Sequence, residues 1–348
     1  MSLERNNTDV VVDDSHRPVT VTTGLVALIL SVIVATTVVG NALVIVAIIT
    51  ERSLQRVQYY LILSLAVADE LVGTVVSPLA FHYDLTNRWT LGLLMCDFWI
   101  FFDVLCCSAS ILNLVVIALD RYWSVSDVAY VQRRNRSRIL AMIALVWLTA
   151  LLISIPPVFG WKDSRFADRV LHQHVCLISQ DLTYQIFSTV AAFYGPLFLL
   201  MLLYWRIYVV AKKRIQREKK RKSTPGFITF QTIFLKTSTE IRQKSSPKRE
   251  ARAARTLAVV TGTFVLCWLP FFVLALYRPI ACPSSDHSIS PCSISPLLES
   301  VFLWLGYVNS ALNPIIYTVF SPDFAKAFKR ILSKLFFIRN FMPNPRRN

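Results

Sequence analysis

The chain has 348 residues, of which 54% are hydrophobic, and its mean hydropathy is +0.50. A soluble domain of this length would be less apolar. The net charge of +16 could suggest nucleic-acid binding. However, the lysines and arginines concentrate between hydrophobic stretches, which is the pattern of a membrane protein. Seven cysteines exclude a dense disulfide framework, and no Cys/His spacing resembles a zinc site.

Seven hydrophobic stretches are long enough to cross a bilayer, so the sequence predicts an all-α membrane protein built as a seven-helix bundle. The predicted spans are residues 21–49, 57–82, 96–122, 138–159, 184–211, 252–278 and 295–319. A short amphipathic helix, Ser321 to Phe337, is predicted to follow and to lie on an anionic membrane surface. The predicted organisation is therefore an N-terminal tail (1–20), a membrane domain (21–320) and a final helix with its tail (321–348).

The distribution of basic residues predicts the orientation of the bundle. The first, third and fifth connections are rich in Lys and Arg, whereas the second, fourth and sixth are poorer in them. Basic connections face the cytosol, so we expect the N-terminus outside the cell and the C-terminus inside. The fifth connection, 212–251, then becomes a basic cytoplasmic loop. Asn6 opens a glycosylation sequon in the outer tail and is expected to carry a glycan.

One carboxylate, Asp103, lies in the interior of the third predicted span, which ends in Asp120 and Arg121. Eighteen positions separate Asp103 from Arg121, which is five helical turns, so the two share a face about 27 Å apart. An ionisable side chain inside a membrane is costly and marks a functional site. The alternative is a structural acid paired with a basic neighbour, but no Lys or Arg lies at comparable depth in another predicted span.

Two further groups lie at the depth of Asp103. Ser188 and Thr189, one turn above Ala192, could bond a polar ring substituent of a ligand or bond back to their own helix. An aromatic stripe runs along the sixth span, and two more aromatic residues follow in the seventh: Phe264, Trp268, Phe271, Phe272, Trp304 and Tyr307. Such a stripe is either core packing or, beside a carboxylate, a wall suited to an organic ammonium.

A second intramembrane acid, Asp69, lies in the second span. Neutral polar residues are predicted to surround it: Ser110, Asn309, Ser310 and Asn313. A buried carboxylate among hydroxyls and amides either binds a hydrated monovalent cation such as sodium or is protonated. Its neighbour Glu70 is a further acid in the second span, and its role is unexplained.

The cysteines and the absence of catalytic motifs give two further expectations. Cys96 and Cys176 both fall on the predicted outer side, where oxidation permits a disulfide, and Cys282 and Cys292 could form a second one. No GxSxG, HExxH or phosphate-binding glycine loop is present, so we expect no enzymatic activity.

Taken together, these motifs resemble the rhodopsin-like G-protein-coupled receptors over nearly the whole chain. The matching segments are LAVAD at 65–69, Asp120-Arg121-Tyr122, Trp147, CWLP at 267–270 and NPIIY at 313–317. The resemblance implies a plasma-membrane receptor that activates a heterotrimeric G protein and also meets arrestin and a receptor kinase. It implies activation roles for Asp120, Arg121, Tyr122, Tyr204, Glu250, Ile111, Pro196, Phe264, Asn313, Pro314 and Tyr317.

Within that family the chain looks like a biogenic-amine receptor. DVLCCSASIL, ALDRYWSV and ISIPPVFGW are most similar to serotonin type-1 receptors, which signal through inhibitory G proteins, whereas LWLGYVNSALNPIIYTVF is as similar to dopamine receptors. Dopamine, octopamine and tyramine therefore remain alternatives, and a non-amine receptor or a transporter is a more distant one. The resemblance implies a ligand site made of Asp103, Val104, Cys107, Ile178, Ser188, Thr189, Ala192, Trp268, Phe271, Phe272, Trp304 and Tyr307.

Overall fold

A computed structural model describes residues 21–223, 247–281 and 295–341, and the regular elements in these ranges are helices. The long helices are Val21–Thr50, Tyr59–Thr86, Gly92–Ser126, Arg136–Ser154, Leu182–Lys213 (continuing to Ser223), Pro247–Ala281 and Pro296–Phe320. They are called here the first to seventh spans. The first six are long and apolar enough to cross a membrane. Shorter helices are Arg52–Leu54, Val128–Arg133, Phe166–Leu171 and the final helix, Pro322–Phe341.

The predicted spans are found, with shifts at their ends that have local causes. The fourth helix ends at Ser154 rather than at residue 159. Pro156 explains the difference, because a proline has no N–H to donate and restricts the residue before it. The second helix runs four residues past its predicted end, to Thr86, and stops where Asn87 adopts a left-handed conformation with φ of 52°.

Proline also explains two wide turns inside the spans. The segments Val72–Val76 and Val190–Tyr194 are π-helical, and each comes just before a proline, Pro78 or Pro196. The ring of a proline clashes with the carbonyl four residues earlier in a regular α-helix. A π turn relieves that clash by widening the helix locally, and such turns are frequent at functional sites.

The third span lies at the centre of the bundle and contacts the second, fourth, fifth and sixth spans. Two glycines let neighbouring helices approach closely. A Cβ added at Gly40 would lie 2.8 Å from the ring of Pro314, and one added at Gly306 would lie 2.7 Å from the ring of Trp268. The first and seventh spans, and the sixth and seventh, therefore pack with no room for a side chain at these points.

The final helix packs against the bundle at the end that carries Arg121. Phe324 is buried, lies edge-on to Tyr59 and stacks on Tyr317. Arg330 forms an ion pair with Glu51 in the first connection. This helix is thus anchored through both apolar and charged contacts.

Gly306→Ala should destabilise the protein, because the new methyl group would overlap the indole ring of Trp268. Overpacking of this kind costs about 1–3 kcal/mol. Thermal unfolding of the purified protein in detergent is the measurement. Gly262→Ala is the matched control, since no atom lies within 4 Å of its added Cβ. Alanine favours a helix over glycine, so this control should be neutral or stabilising. Equal melting temperatures for the two variants would contradict the proposed contact.

Candidate ligand-binding site

A disulfide fixes one end of the bundle. Cys96 in the third span and Cys176 in the connection before the fifth span are bridged, as expected, with their Cα atoms 5.7 Å apart. The bridge holds the segment after Cys176, residues 176–181, against the end of the bundle; this segment is called the lid. The predicted second bridge, Cys282 with Cys292, lies outside the described residues, and so does Asn6.

A carboxylate organises the connection that precedes the lid. Asp163 forms a two-point ion pair with Arg169, with N–O distances of 2.7 and 2.9 Å. It also accepts the backbone N–H of Gln180 at 2.8 Å and that of Arg165 at 3.2 Å. Burial raises the pKa of the Asp163 carboxyl, but these hydrogen bonds outweigh that effect and hold the pKa below its ordinary value.

A cavity lies beneath the lid, with an empty volume of about 770 Å³ that includes space open to solvent. Asp103 lines it, and no lysine, arginine or histidine is among the described residues that do so. The buried hydroxyl of Tyr307 interacts with the Asp103 carboxylate, although the geometry is too loose for a full hydrogen bond. The carboxylate therefore faces an otherwise largely apolar space without a cationic partner among the described residues.

Most of the predicted ligand-site residues meet in this cavity. Besides Asp103, the predicted residues that line it are Val104, Cys107, Ile178, Ser188, Thr189, Ala192, Trp268, Phe271 and Phe272. Aromatic rings form one wall. Trp268 lies edge-on to Phe271, with 5.7 Å between ring centroids, and Phe272 stacks on Phe193 at 4.4 Å. An aromatic wall near a carboxylate is an arrangement that attracts organic ammonium groups.

The two hydroxyls of the fifth span bond back to their own helix. Thr189 donates to the backbone carbonyl of Gln185 at 2.6 Å, and Ser188 donates to the same carbonyl at 3.3 Å. Of the two alternatives left open from the sequence, the structure adopts the local one. Both side chains nevertheless line the cavity, so their oxygen lone pairs are available to a molecule inside it.

Two predicted site residues do not line the cavity. Trp304 instead donates its indole N–H to Asp84 of the second span. Tyr307 is not among the lining residues, although its hydroxyl interacts with Asp103. Helical rotation explains the position of Trp304: Leu303, one position before it, lines the cavity, and one residue is a rotation of about 100°.

Several lining residues were missed from the sequence: Trp99, Ile100, Leu177, Gln185, Ala275 and Leu303. Helical spacing could have identified most of them. Trp99 and Ile100 lie one turn before Asp103, Gln185 one turn before Thr189, and Ala275 one turn after Phe271.

The structure surrounds Asp69 with most of the predicted partners. Its carboxylate accepts hydrogen bonds from Asn313 at 2.7 Å, from Ser310 at 2.8 Å and from Ser110 at 3.4 Å. The buried side-chain oxygens of Asn309 and Asn313 have no hydrogen-bond partner among the described residues. The site thus combines one carboxylate with an unused oxygen acceptor on Asn313, which also donates to that carboxylate.

The predicted activation residues lie along the core and at the Arg121 end. Ile111, Phe264, Pro196, Asn313 and Pro314 are buried, while Arg121 and Tyr122 are partly buried.

Specific contacts join three others to neighbouring elements. Asp120 accepts a hydrogen bond from Tyr130 at 2.9 Å and pairs with Arg134 at 3.1 Å. Tyr204 bonds Thr261 of the sixth span at 2.7 Å. Tyr317 stacks on Phe324, as noted above. The side chain of Glu250 lies outside the described part, so its predicted activation role stays a prediction.

The fold and the site define a helical membrane receptor, and comparison with known proteins identifies its family. The family model described as 7 transmembrane receptor (rhodopsin family) matches residues 40–317. The chain belongs to that family, whose members are receptors rather than enzymes, and the family implies that Pro296–Phe320 is a seventh membrane span.

Individual relatives indicate which members of this family the chain is similar to. A 5-hydroxytryptamine receptor of Heliothis virescens is 41% identical, over 84% of this chain and 81% of that protein. The 5-hydroxytryptamine receptor 1D of Mus musculus is 40% identical, over 87% of this chain and 88% of its own length. A 5-hydroxytryptamine receptor of Lymnaea stagnalis is 36% identical over 88% of this chain.

Asp163→Asn should loosen the connection before the lid, because it removes the charge that binds Arg169. We expect a loss of about 1 kcal/mol at neutral pH, since the pair is partly exposed. A depressed pKa stabilises the fold above the unfolded-state value, near 4, and this contribution disappears as the pH falls through the folded-state pKa.

The melting-temperature difference between the wild type and Asp163→Asn should therefore persist from neutral pH down to about pH 4 and vanish below it. Asp168→Asn, which changes an exposed acid of the same connection, is the control. A difference that is constant across the acid range would refute the electrostatic explanation.

Proposed function

We propose that this protein is a plasma-membrane receptor for serotonin that signals through inhibitory heterotrimeric G proteins and lowers cyclic AMP. The observation that carries the proposal is the Asp103 carboxylate, which faces an aromatic-walled cavity with no cationic partner among the described residues. A carboxylate in such surroundings needs a cation, and a protonated amine supplies one together with N–H donors. The relatives are named 5-hydroxytryptamine receptors, and this supports serotonin as the amine.

The cavity has separate places for the two ends of an aromatic amine. The ammonium would pair with Asp103, and the ring would lie between Val104, Cys107 and the phenyl groups of the sixth span. Its polar substituent would reach Ser188 or Thr189. Because the walls of the cavity are largely apolar, the charge pair would be stronger there than in bulk water.

Signalling requires that the ligand bind one arrangement of the bundle more tightly than another. In our proposal the sixth span swings outward around Pro270. Tyr204 would then release Thr261, and Arg121 would part from Glu250, so that a cavity opens for the G protein. Arrestin and a receptor kinase would bind the same cytosolic face of the bundle.

We propose the orientation predicted from the basic residues: a glycosylated tail with Asn6 outside and the C-terminus in the cytosol. The final helix would lie on the inner leaflet, where its lysines meet anionic lipid.

A sodium ion is implied by the resemblance to this receptor family, and the residues around Asp69 fit one. The unpartnered oxygens of Asn309 and Asn313 are acceptors without donors, and a cation coordinates oxygens of this kind. Asp69, Ser110 and Ser310 would complete the set. The ion would neutralise the buried carboxylate and stabilise the arrangement of the second, third and seventh spans seen here.

Asp103→Asn should abolish high-affinity amine binding, because it keeps the size and polarity of the side chain but removes its charge. Breaking a desolvated ion pair leaves the other charge buried, so we expect a loss of about 3–5 kcal/mol. Competition binding of serotonin, and of a neutral isostere without the amine, on both receptors at equal surface expression is the measurement. The isostere should bind the wild type poorly and be little affected by the change. Unaltered serotonin affinity in Asp103→Asn would rule out the amine-receptor proposal.

Sodium should raise the melting temperature of the purified receptor above its value in N-methyl-D-glucamine chloride of equal ionic strength. Ligands that bind the folded state stabilise it by mass action. Asp69→Asn should remove this difference, whereas Asp127→Asn, an exposed acid near the end of the third span, should retain it. A sodium effect of equal size in Asp69→Asn would place the ion elsewhere.

A further inference from the structure

Among the contacts that hold the lid are three ties to different parts of the molecule. The disulfide to Cys96 ties it to the third span. Asp163 ties it to the rest of its own connection, because the carboxylate accepts the N–H of Gln180. The third tie runs from the fifth span: the side-chain amide of Gln185 donates to the carbonyl of Ser179 at 2.7 Å. Leu177 and Ile178, which line the cavity, lie between the first tie and the other two.

Gln185 is placed to connect the lid with the cavity. It lies in the first turn of the fifth span, is only 2% exposed and is itself one of the cavity-lining residues. Its backbone carbonyl accepts the hydroxyls of Ser188 and Thr189. One residue therefore contacts the lid through its side chain and the polar wall of the cavity through its backbone.

We infer that Gln185 is the positioning residue that holds the lid closed over the amine site and so sets how fast ligands enter and leave. The disulfide anchors only one end of the lid. Among the described residues, the Gln185 bond is the hydrogen bond that ties residues 177–179 to the fifth span, whereas the N–H of Asp163 ties the Ser179 hydroxyl to the lid's own connection. A bond between two buried groups is made only when the lid is closed, so its loss raises the open fraction.

A latch and a ligand contact have different kinetic consequences. Loss of a latch lowers the barrier that the ligand crosses in both directions, so the association and dissociation rate constants rise together and Kd changes little. Loss of a direct contact to the ligand acts mainly on dissociation, so Kd rises with the dissociation rate. The inference rests on the proposed amine-binding function, and its test therefore includes a measurement that needs no amine.

The variant is Gln185→Met, which keeps the length of the side chain but cannot donate to Ser179. Labelled serotonin should associate and dissociate about five- to tenfold faster, as expected for the loss of one hydrogen bond. Gln180→Met is the matched control. The amide of Gln180 also donates to a lid carbonyl, that of Ile178, but the bond is local to the lid. Its rates should be close to those of the wild type.

The ligand-free measurement uses Cys107, a buried free thiol that lines the cavity. Methyl methanethiosulfonate, a small neutral reagent, should modify Cys107 faster in Gln185→Met than in the wild type or in Gln180→Met. A Cys107→Ser background accounts for reaction at Cys106 and Cys267. If Gln185→Met does not reach the surface, Gln185→Leu replaces it, since an apolar side chain also cannot donate to Ser179.

Each outcome separates the two proposals. Faster labelling with no serotonin binding in the wild type would support the latch and refute the proposed ligand. Unchanged labelling, or a Kd that rises through dissociation alone, would overturn the latch while leaving the amine site intact. Equal acceleration in Gln180→Met would mean that any change in the lid has this effect, and would also overturn the specific role of Gln185.

Discussion

A carboxylate inside an apolar bundle needs a partner, and this requirement organises the structure. Asp69 is satisfied by three neutral donors, and Asp120 by Tyr130 and Arg134. Among the described residues, Asp103 has only the loose interaction with Tyr307. Asp69 and Asp120 are therefore structural charges, whereas Asp103 remains available to a ligand. An unpaired charge in a low-dielectric site is costly, so binding a cation beside it is favourable.

Proline and glycine shape the space around that charge. The π turn before Pro196 contains Ala192, and Ala192 lines the cavity. On the opposite side, Gly306 allows the indole of Trp268 to lie against the backbone of the seventh span. The cavity is thus produced by local departures from regular helix geometry and by the absence of one side chain.

The sequence predicted the seven spans because continuous apolar stretches are a strong signal, and it predicted Asp103 because acids are rare in such stretches. It did not predict the π turns, since the backbone relieves a proline clash in several ways. It placed Trp304 in the cavity instead of Leu303, because a difference of one residue in a helix is a rotation of about 100° that periodicity alone does not resolve. It also could not identify Gln185, whose importance depends on a contact with a loop distant from any sequence motif.

The hydroxyls of the fifth span have a consequence for chemical selectivity. A hydroxyl carries one proton, and those of Ser188 and Thr189 point to the carbonyl of Gln185. The polar wall therefore presents lone pairs to the cavity and can receive hydrogen bonds without rearranging. A ring bearing an O–H or an N–H can donate to these lone pairs directly. An ether or ketone oxygen at the same place would set its own lone pairs against those of the hydroxyls. The wall thus selects for the direction of a hydrogen bond as well as for the presence of a polar atom.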